Sequence, residues 1–223
     1  INAIEVMPVQ EFEGNDSWGY NPNFYFAVDK YYGPKNNFKE FVDECHQRGI
    51  AVIVDVVFNH AFGTCPLVQM YWDKQNNRPA SNNAWLNTVA THPYSPGYDF
   101  NHESLNTKKY LKRVLEFWLE ENKVDGFRFD LSKGLTQTWS GEDVGAWSQY
   151  DQSRVNILTE YYNHIKSINS NAYVILEHLA NNDEEVALAN AGFMLWGNIN
   201  TQFNQITMGW TDNSDITWSL YSN

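Results

Sequence analysis

The chain has 223 residues and a formal net charge of −12, from 15 Lys and Arg against 27 Asp and Glu. That length gives one large domain or two small ones, with a core that needs no disulfide or metal to hold it. The acidity, with its basic residues scattered, argues against a polyanion partner such as nucleic acid. The apolar runs are too short for a membrane-crossing helix, and two cysteines, Cys45 and Cys65, exclude a disulfide-rich scaffold while leaving one bridge between them open.

In chain order, Ala3 to Val9 is an apolar run read as a strand ended by Pro8, followed by a polar, aromatic loop to about Tyr32. Asn37 to Arg48 has Phe38, Phe41, Val42 and Cys45 at helical spacing, with Gly49 as its stop. Ile50 to Val57 is nearly all β-branched and apolar, the signature of a parallel strand buried on both faces. Residues 61–103 break this rhythm with Asn, Pro, Gly and Trp; a structureless loop of that length is unusual, so they are expected to form an inserted subdomain. Leu105 to Glu121 is a helix, Val124 to Asp130 a strand, and a loop runs to about Asp151. Ser153 to Ser167 is a helix and Ala172 to Glu177 a strand. Asp183 to Asn190 is a short helix expected to be capped by Asp183, Gly192 to Trp196 is a fifth strand, and the tail to Asn223 is less regular.

This alternation predicts an α/β fold with a parallel sheet. No Gly-rich phosphate loop follows the first strand, which argues against a doubly wound nucleotide-binding sheet. Polar and acidic residues instead sit at the C-terminal ends of several strands, at Asp55 to His60, Asp130 and Glu177, as barrels build their sites. Asp130 and Glu177 end consecutive, hence adjacent, strands. One carboxylate is expected to stay ionised beside Arg128 and the other to be pushed up by burial, the division of labour a retaining glycosidase needs. The structural alternative is that both cap loops or pair with Arg. Aromatic content of 16%, with nine Trp and 13 Tyr, adds weight to a sugar ligand, because flat apolar rings suit sugar faces.

Five segments, in order, resemble the α-amylase family of retaining α-glucan enzymes. Asp55-Val56-Val57-Phe58-Asn59-His60 is similar to its D-x-x-x-N-H signature, and Gly126-Phe127-Arg128-Phe129-Asp130 to its G-F-R-x-D signature. Val174 to Glu177 fills the place of the strand ending in the acid, Trp18-Gly19-Tyr20 resembles W-G-Y, and Asp99-Phe100-Asn101 resembles D-L-N. The resemblance implies a (β/α)8 barrel in which 1–60 and 104–223 are barrel and 61–103 the insertion after the family's third strand. It implies Asp130 as nucleophile, Glu177 as general acid/base and Arg128 as the residue holding the nucleophile ionised. Tyr20 and His60 match residues that hold the sugar, Tyr by stacking and His by hydrogen bonds. Trp18, Lys133 on the leaving-group side, and His178 beside the acid join them as expected substrate contacts, and Trp72, Trp85, Trp139 and Trp147 are further stacking candidates. Asn59 and Asp99 match positions that ligate calcium in many members; Lys133-Gly134 stands where the family's third ligand, a main-chain carbonyl, usually lies.

The expected function is hydrolysis of α-1,4-glucans such as starch, glycogen or maltodextrin. The alternatives are branching or other transglycosylation and a silent glucan-binding module; the Glu11 to Trp18 loop resembles those of branching and debranching enzymes. Five strands of eight are present, no Asn-His-Asp segment supplies the family's third carboxylate, and a barrel takes about 250 residues. The chain is therefore expected to be a fragment, prone to self-association, of a parent whose large substrates favour an extracytoplasmic location.

Overall fold

A five-stranded parallel sheet, its strands Ala3–Val6, Ala51–Val56, Gly126–Phe129, Tyr173–Leu176 and Met194–Leu195 lying side by side in that order, carries the molecule in the computed structural model, which describes residues 1–197, 199–212 and 214–217. After β1 (Ala3–Val6) come a hairpin of β2 (Gln10–Phe12) and β3 (Pro22–Val28), helix α1 (Lys35–Gln47) and β4 (Ala51–Val56). Three small elements follow: β5 (His60–Ala61), α2 (Pro66–Gln69) and a ribbon of β6 (Trp72–Asp73) with β7 (Arg78–Pro79). β8 (Tyr98–Asp99) returns to pair with β5. The sheet resumes with α3 (Leu105–Glu120) and β9 (Gly126–Phe129), then α4 (Val144–Trp147), α5 (Gln152–Ile168) and β10 (Tyr173–Leu176). Helix α6 (Asn182–Asn190), β11 (Met194–Leu195) and α7 (Asn200–Thr207) complete the described chain. Residues 218–223 of the tail lie outside the described residues.

Three helices, α3, α4 and α5, start where a side chain satisfies free N–H groups. Ser104 caps α3 by accepting from Asn106 N, and Asp151 caps α5 by accepting from Ser153 N and Arg154 N. Helix α1 ends at Arg48, with Gly49 at φ 68 supplying the left-handed turn. Helix α6 departs from expectation: its N-cap is Asn181, and Asp183 lies inside the first turn with Glu184 and Glu185, where carboxylates complement the helix dipole.

The core lies between sheet and helices. Val52, Val54, Phe127 and Phe129 are buried beneath Leu111, Val114, Leu115 and Trp118 of α3, and each such side chain is worth about 1.5–3 kcal/mol. Trp118 Nε1 donates to the Tyr25 carbonyl at 2.9 Å, tying α3 to the hairpin. That hairpin was not expected from the sequence. Its signal is the alternation in Pro22 to Val28, where Asn23 and Tyr25 are buried and Phe24 and Phe26 exposed. Cys45 and Cys65 are both free and buried, so the bridge left open by the sequence is not formed.

Burial is graded across the sheet. All of β9 is buried and nearly all of β4 and β10, whereas β1 and β11 are half-buried or exposed. Each edge strand offers unpaired N–H and C=O groups beside Met7, Met194 and Trp196, side chains about half exposed. Residues 1–223 expressed by themselves are expected to associate through these edges. Mass measured by light scattering should exceed that of the monomer; a monodisperse monomer would show that the edges are tolerated in water.

Candidate active site

The sheet register brings the chemistry together. Asp55 on β4 lies beside Arg128 on β9, and Leu176 beside Phe129, so Glu177 and Asp130 leave adjacent strands at one level. Side chains alternate faces along a strand, so Arg128 and Asp130 share the face opposite Phe127 and Phe129. The guanidinium collects all three carboxylates. Arg128 Nη1 donates to Asp55 Oδ1 at 2.9 Å, Asp55 Oδ2 at 2.8 Å and Asp130 Oδ1 at 2.8 Å, while Nη2 lies 3.0 Å from Glu177 Oε2. Asp55 and Arg128 are sealed from solvent; Asp130 and Glu177 keep side-chain exposures of 15% and 22%. The pair at the strand ends is therefore the part of the cluster a ligand reaches.

Four charged groups in one buried patch change the expected ionisation. Burial pushes the Asp130 carboxyl up, the Asp55 and Glu177 charges push it further, and Arg128 only partly opposes them, leaving it at about 7. Asp55 is likewise raised by burial, against the pull of Arg128 and Tyr20, to about 6. Asp130, expected from the sequence to stay ionised beside Arg128, is instead pushed up, because one positive charge is shared among three carboxylates. Asp55 and Asp130, joined through one guanidinium, do not titrate independently.

Tyr20 sits at the rim, half-buried, with its hydroxyl donating to Asp55 Oδ2 at 2.8 Å. Burial, then the Asp55 charge, raises its phenol above the usual 10. Gly19, at φ 94, allows this placement, since a Cβ there would collide with the Pro8 carbonyl oxygen at the end of the first strand. Trp18 beside it is 77% exposed and offers a free ring face.

Three expected substrate contacts are turned inward. Both His60 nitrogens are committed, Nδ1 to Asn59 Nδ2 at 3.0 Å and Nε2 to the Tyr20 carbonyl at 2.9 Å, and the ring is 1% exposed. Burial lowers its pKa, favouring the neutral ring that this pairing needs. His60 therefore holds the Tyr20 segment and has no nitrogen left for a sugar. Lys133 is buried, donating to the Leu179 carbonyl at 2.9 Å and Ser148 Oγ at 3.1 Å, with its ammonium 4.2 Å from the Trp147 ring centroid. His178 is buried between Ser132 and Glu184. Among the four tryptophans named as stacking candidates, Trp139 is exposed, Trp72 and Trp85 are half-buried, and Trp147 is buried against the His92 ring, stacked at 5.0 Å.

Asn59 and Asp99 meet in a different pocket. Among the described residues, Asn59 Oδ1, Asp99 Oδ1 and His92 Nε2 are buried with no hydrogen-bond partner, and the last two are 3.4 Å apart. The Asn59 amide is oriented by its bond to His60, and His92 Nδ1 pairs with the Pro93 carbonyl at 2.8 Å, so Nε2 in the neutral ring is an acceptor. Gly134 abuts the same place, because a Cβ there would collide with Asn59 Oδ1 and crowd the His92 ring. Lone pairs buried together without a donor are costly, and oxygens of this kind suit a hard cation, so the residues fit calcium. Among the described residues no three His, Cys, Asp or Glu side chains form a metal cluster. A cation here would draw on the amide, the carboxylate and main-chain carbonyls.

Two residues of the site were not anticipated as participants. Asp55, noted from the sequence only as one of the polar residues at a strand end, accepts from Arg128 Nη1 with both carboxylate oxygens and anchors Tyr20. Trp196 was not singled out; its ring lies 4.4 Å from the Arg128 guanidinium carbon, covering the cation. Its signal was position, immediately after β11 as Asp130 and Glu177 follow β9 and β10.

Paired carboxylates at the ends of parallel strands, joined through helices and sharing one arginine, define a β/α-barrel site of the two-carboxylate class. The catalytic-domain model described as "Alpha amylase, catalytic domain" matches residues 1–95 and 91–222, and the chain belongs to the alpha-amylase family. The malto-oligosyltrehalose trehalohydrolase of Saccharolobus solfataricus is 31% identical over 131 residues, 58% of this chain and 21% of that protein. The 1,4-alpha-glucan-branching enzyme of Emericella nidulans is 31% identical over 153 residues, 68% of this chain and 22% of that one. Among solved structures, Amy13B of Eubacterium rectale superposes with a TM-score of 0.70 at 22% identity, covering 95% of this chain and 44% of that chain. The sheet is accordingly part of a (β/α)8 barrel, and the chain spans about a fifth of the length of these two curated relatives.

Proposed function

We infer that the protein containing this chain is a retaining glycoside hydrolase of α-1,4-glucans. The observation that carries this reading is the Arg128 fork holding Asp130 and Glu177 at level ends of adjacent strands. Retaining enzymes need two carboxyl groups about 5–5.5 Å apart, one to attack the anomeric carbon and one to protonate the leaving oxygen. Asp130, at the Nη1 side, is the nucleophile, and its attack forms the glycosyl ester while the bond to the leaving sugar breaks. Glu177, at the Nη2 side, donates a proton to that leaving oxygen and then removes one from the incoming water. Arg128 stabilises whichever carboxylate is left charged. Tyr20, held by Asp55 and His60, offers its ring to the sugar at the cleavage point, and Trp18 and Trp139 extend the aromatic surface.

Incubating the complete protein with amylose tests this reading. New reducing ends with retained α-configuration are expected. Branch points forming without new reducing ends would replace hydrolysis by branching, and no change in the glucan would reject both. Calcium belongs to the same reading: Asn59 Oδ1, Asp99 Oδ1 and neighbouring carbonyls would hold it, and it would neutralise buried lone pairs around Gly134. Chelation is expected to lower the thermal midpoint of the complete protein, and added calcium to restore it. In Asn59→Ala the midpoint should no longer respond to calcium; an unaltered response would place the metal elsewhere.

A further inference from the structure

A second buried ionic assembly lies directly behind Glu177, and the chemistry above does not use it. His178 turns away from the cleft, its Nδ1 3.0 Å from Ser132 Oγ and its Nε2 2.7 Å from Glu184 Oε1. Glu184, in the first turn of α6, is fully buried and gripped by Arg154 of α5, through Nε at 2.6 Å and Nη2 at 2.8 Å. The rest of the Arg154 fork goes to the carbonyls of Lys133, Trp147 and Gln149, and the second Glu184 oxygen also takes the Asp151 N–H. Burial would raise the Glu184 carboxyl, but His178 and Arg154 outweigh it and hold it below its usual range. Burial, with Arg154 and Lys133 adding to it against Glu184, lowers the His178 pKa.

This assembly grips the acid from behind. A neutral His178 that donates Nε2–H to Glu184 presents Nδ1 as an acceptor to the Ser132 hydroxyl. The one Ser132 hydroxyl proton is then committed to His178, and the Glu177 carbonyl is held by the Ser132 N–H at 2.9 Å, with Ser132 Oγ 2.9 Å from the same oxygen. One residue earlier, Leu131 N donates to Glu177 Oε2 at 2.9 Å from a left-handed conformation, φ 45. Residues 131–132 are thus stitched to both the carbonyl and the carboxylate of Glu177, and the triad is stitched to residues 132–133. The three connections joined here follow β9, precede α5 and follow β10. Apolar packing alone leaves such loops free to slide, whereas a fully satisfied ionic network admits one arrangement.

We propose that His178, Glu184 and Arg154 are positioning residues that fix the Glu177 peptide and carboxylate opposite Asp130 through both proton transfers. The proposal rests on Glu177 being the acid/base. Misplacing a reacting group by about 1 Å costs on the order of 10²-fold in rate. In the complete protein, His178→Ala and the isosteric Glu184→Gln are each expected to lower kcat on amylose by roughly 10- to 100-fold, with KM within about threefold.

A purely structural role does not predict which substrates recover. A glycosyl fluoride needs little acid assistance to leave, and azide attacks the intermediate without a base, so the pair together bypasses Glu177. Both variants, and Glu177→Ala as the control, should regain most of their lost turnover with a maltosyl fluoride and azide. If Glu177→Ala does not recover, the acid/base assignment fails. If Glu177→Ala recovers and the two triad variants do not, or if their kcat on amylose is unchanged, the positioning role is overturned. Loss of cooperative unfolding in both triad variants would assign the network to stability alone and overturn it equally.

Discussion

Asp130→Asn is expected to stop turnover and, at alkaline pH, to stabilise the fold. The Asp130 carboxyl, the proposed nucleophile, sits at about 7 in the folded chain against an ordinary 3.8. A carboxyl raised in this way contributes stability that is fully present below about 3.8 and is lost as pH rises through about 7. At pH 8 the folded protein therefore carries a buried negative charge that its surroundings resist, by up to about 4 kcal/mol at 1.36 kcal/mol per tenfold step in acidity. An amide of the same shape removes that charge and resembles the protonated form. Denaturant unfolding of the complete protein should show Asp130→Asn more stable than the parent at pH 8, with the difference shrinking towards pH 4. Activity should fall by roughly 10⁴-fold or more, because an amide does not form the glycosyl ester. A variant equally destabilised at both pH values would show that the carboxylates do not compete for one guanidinium.

Arg128→Met should have the largest destabilising effect of any single change at the site. It leaves Asp55, 3% exposed, with Tyr20 as its remaining partner, and Asp130 and Glu177 facing each other unscreened. Removing one member of a buried ion cluster costs about 3–5 kcal/mol, because the charges left behind are uncompensated. The loss should be greatest above pH 7 and smaller near pH 5, where the raised carboxyls take up protons instead. Arg128→Lys should not restore activity: a single ammonium lacks the planar fork that reaches three carboxylates at once. In the double variant Arg128→Met, Asp55→Asn, part of the stability should return, since the two residues are coupled and their effects are not additive. Denaturant midpoints of the four proteins at two pH values measure this. Strict additivity would mean that the 2.8 Å contact contributes nothing.

The five sheet strands were legible because their residues are nearly all apolar and each is bounded by turn residues, as in the run Ala51 to Val56. Asp130 and Glu177 were legible for a related reason: a carboxylate directly after such a run has to emerge at the end of the sheet. The hairpin at Gln10 to Val28 was not, because its strands are stabilised by α3 through Tyr25 and Trp118, partners more than 90 residues apart. The inward turn of His60, Lys133 and His178 was equally invisible. Motif position fixes the backbone location of these residues, whereas the direction of each side chain is set by acceptors on other connections, the Tyr20 and Leu179 carbonyls and the Glu184 carboxylate. The ionisation of Asp130 depended on a count, three carboxylates to one guanidinium, that requires knowing that Asp55 is in register with Arg128.

The division of roles between Asp130 and Glu177 is tested most directly by trapping the covalent intermediate. Treated with a fluorinated α-glucosyl fluoride that forms the ester quickly and hydrolyses slowly, the complete protein should gain the mass of one glycosyl group. After proteolysis the label should lie on the peptide containing Asp130, and Asp130→Asn should take up none. A label on Glu177 or Asp55, or products of inverted configuration with no adduct at all, would contradict the assignment.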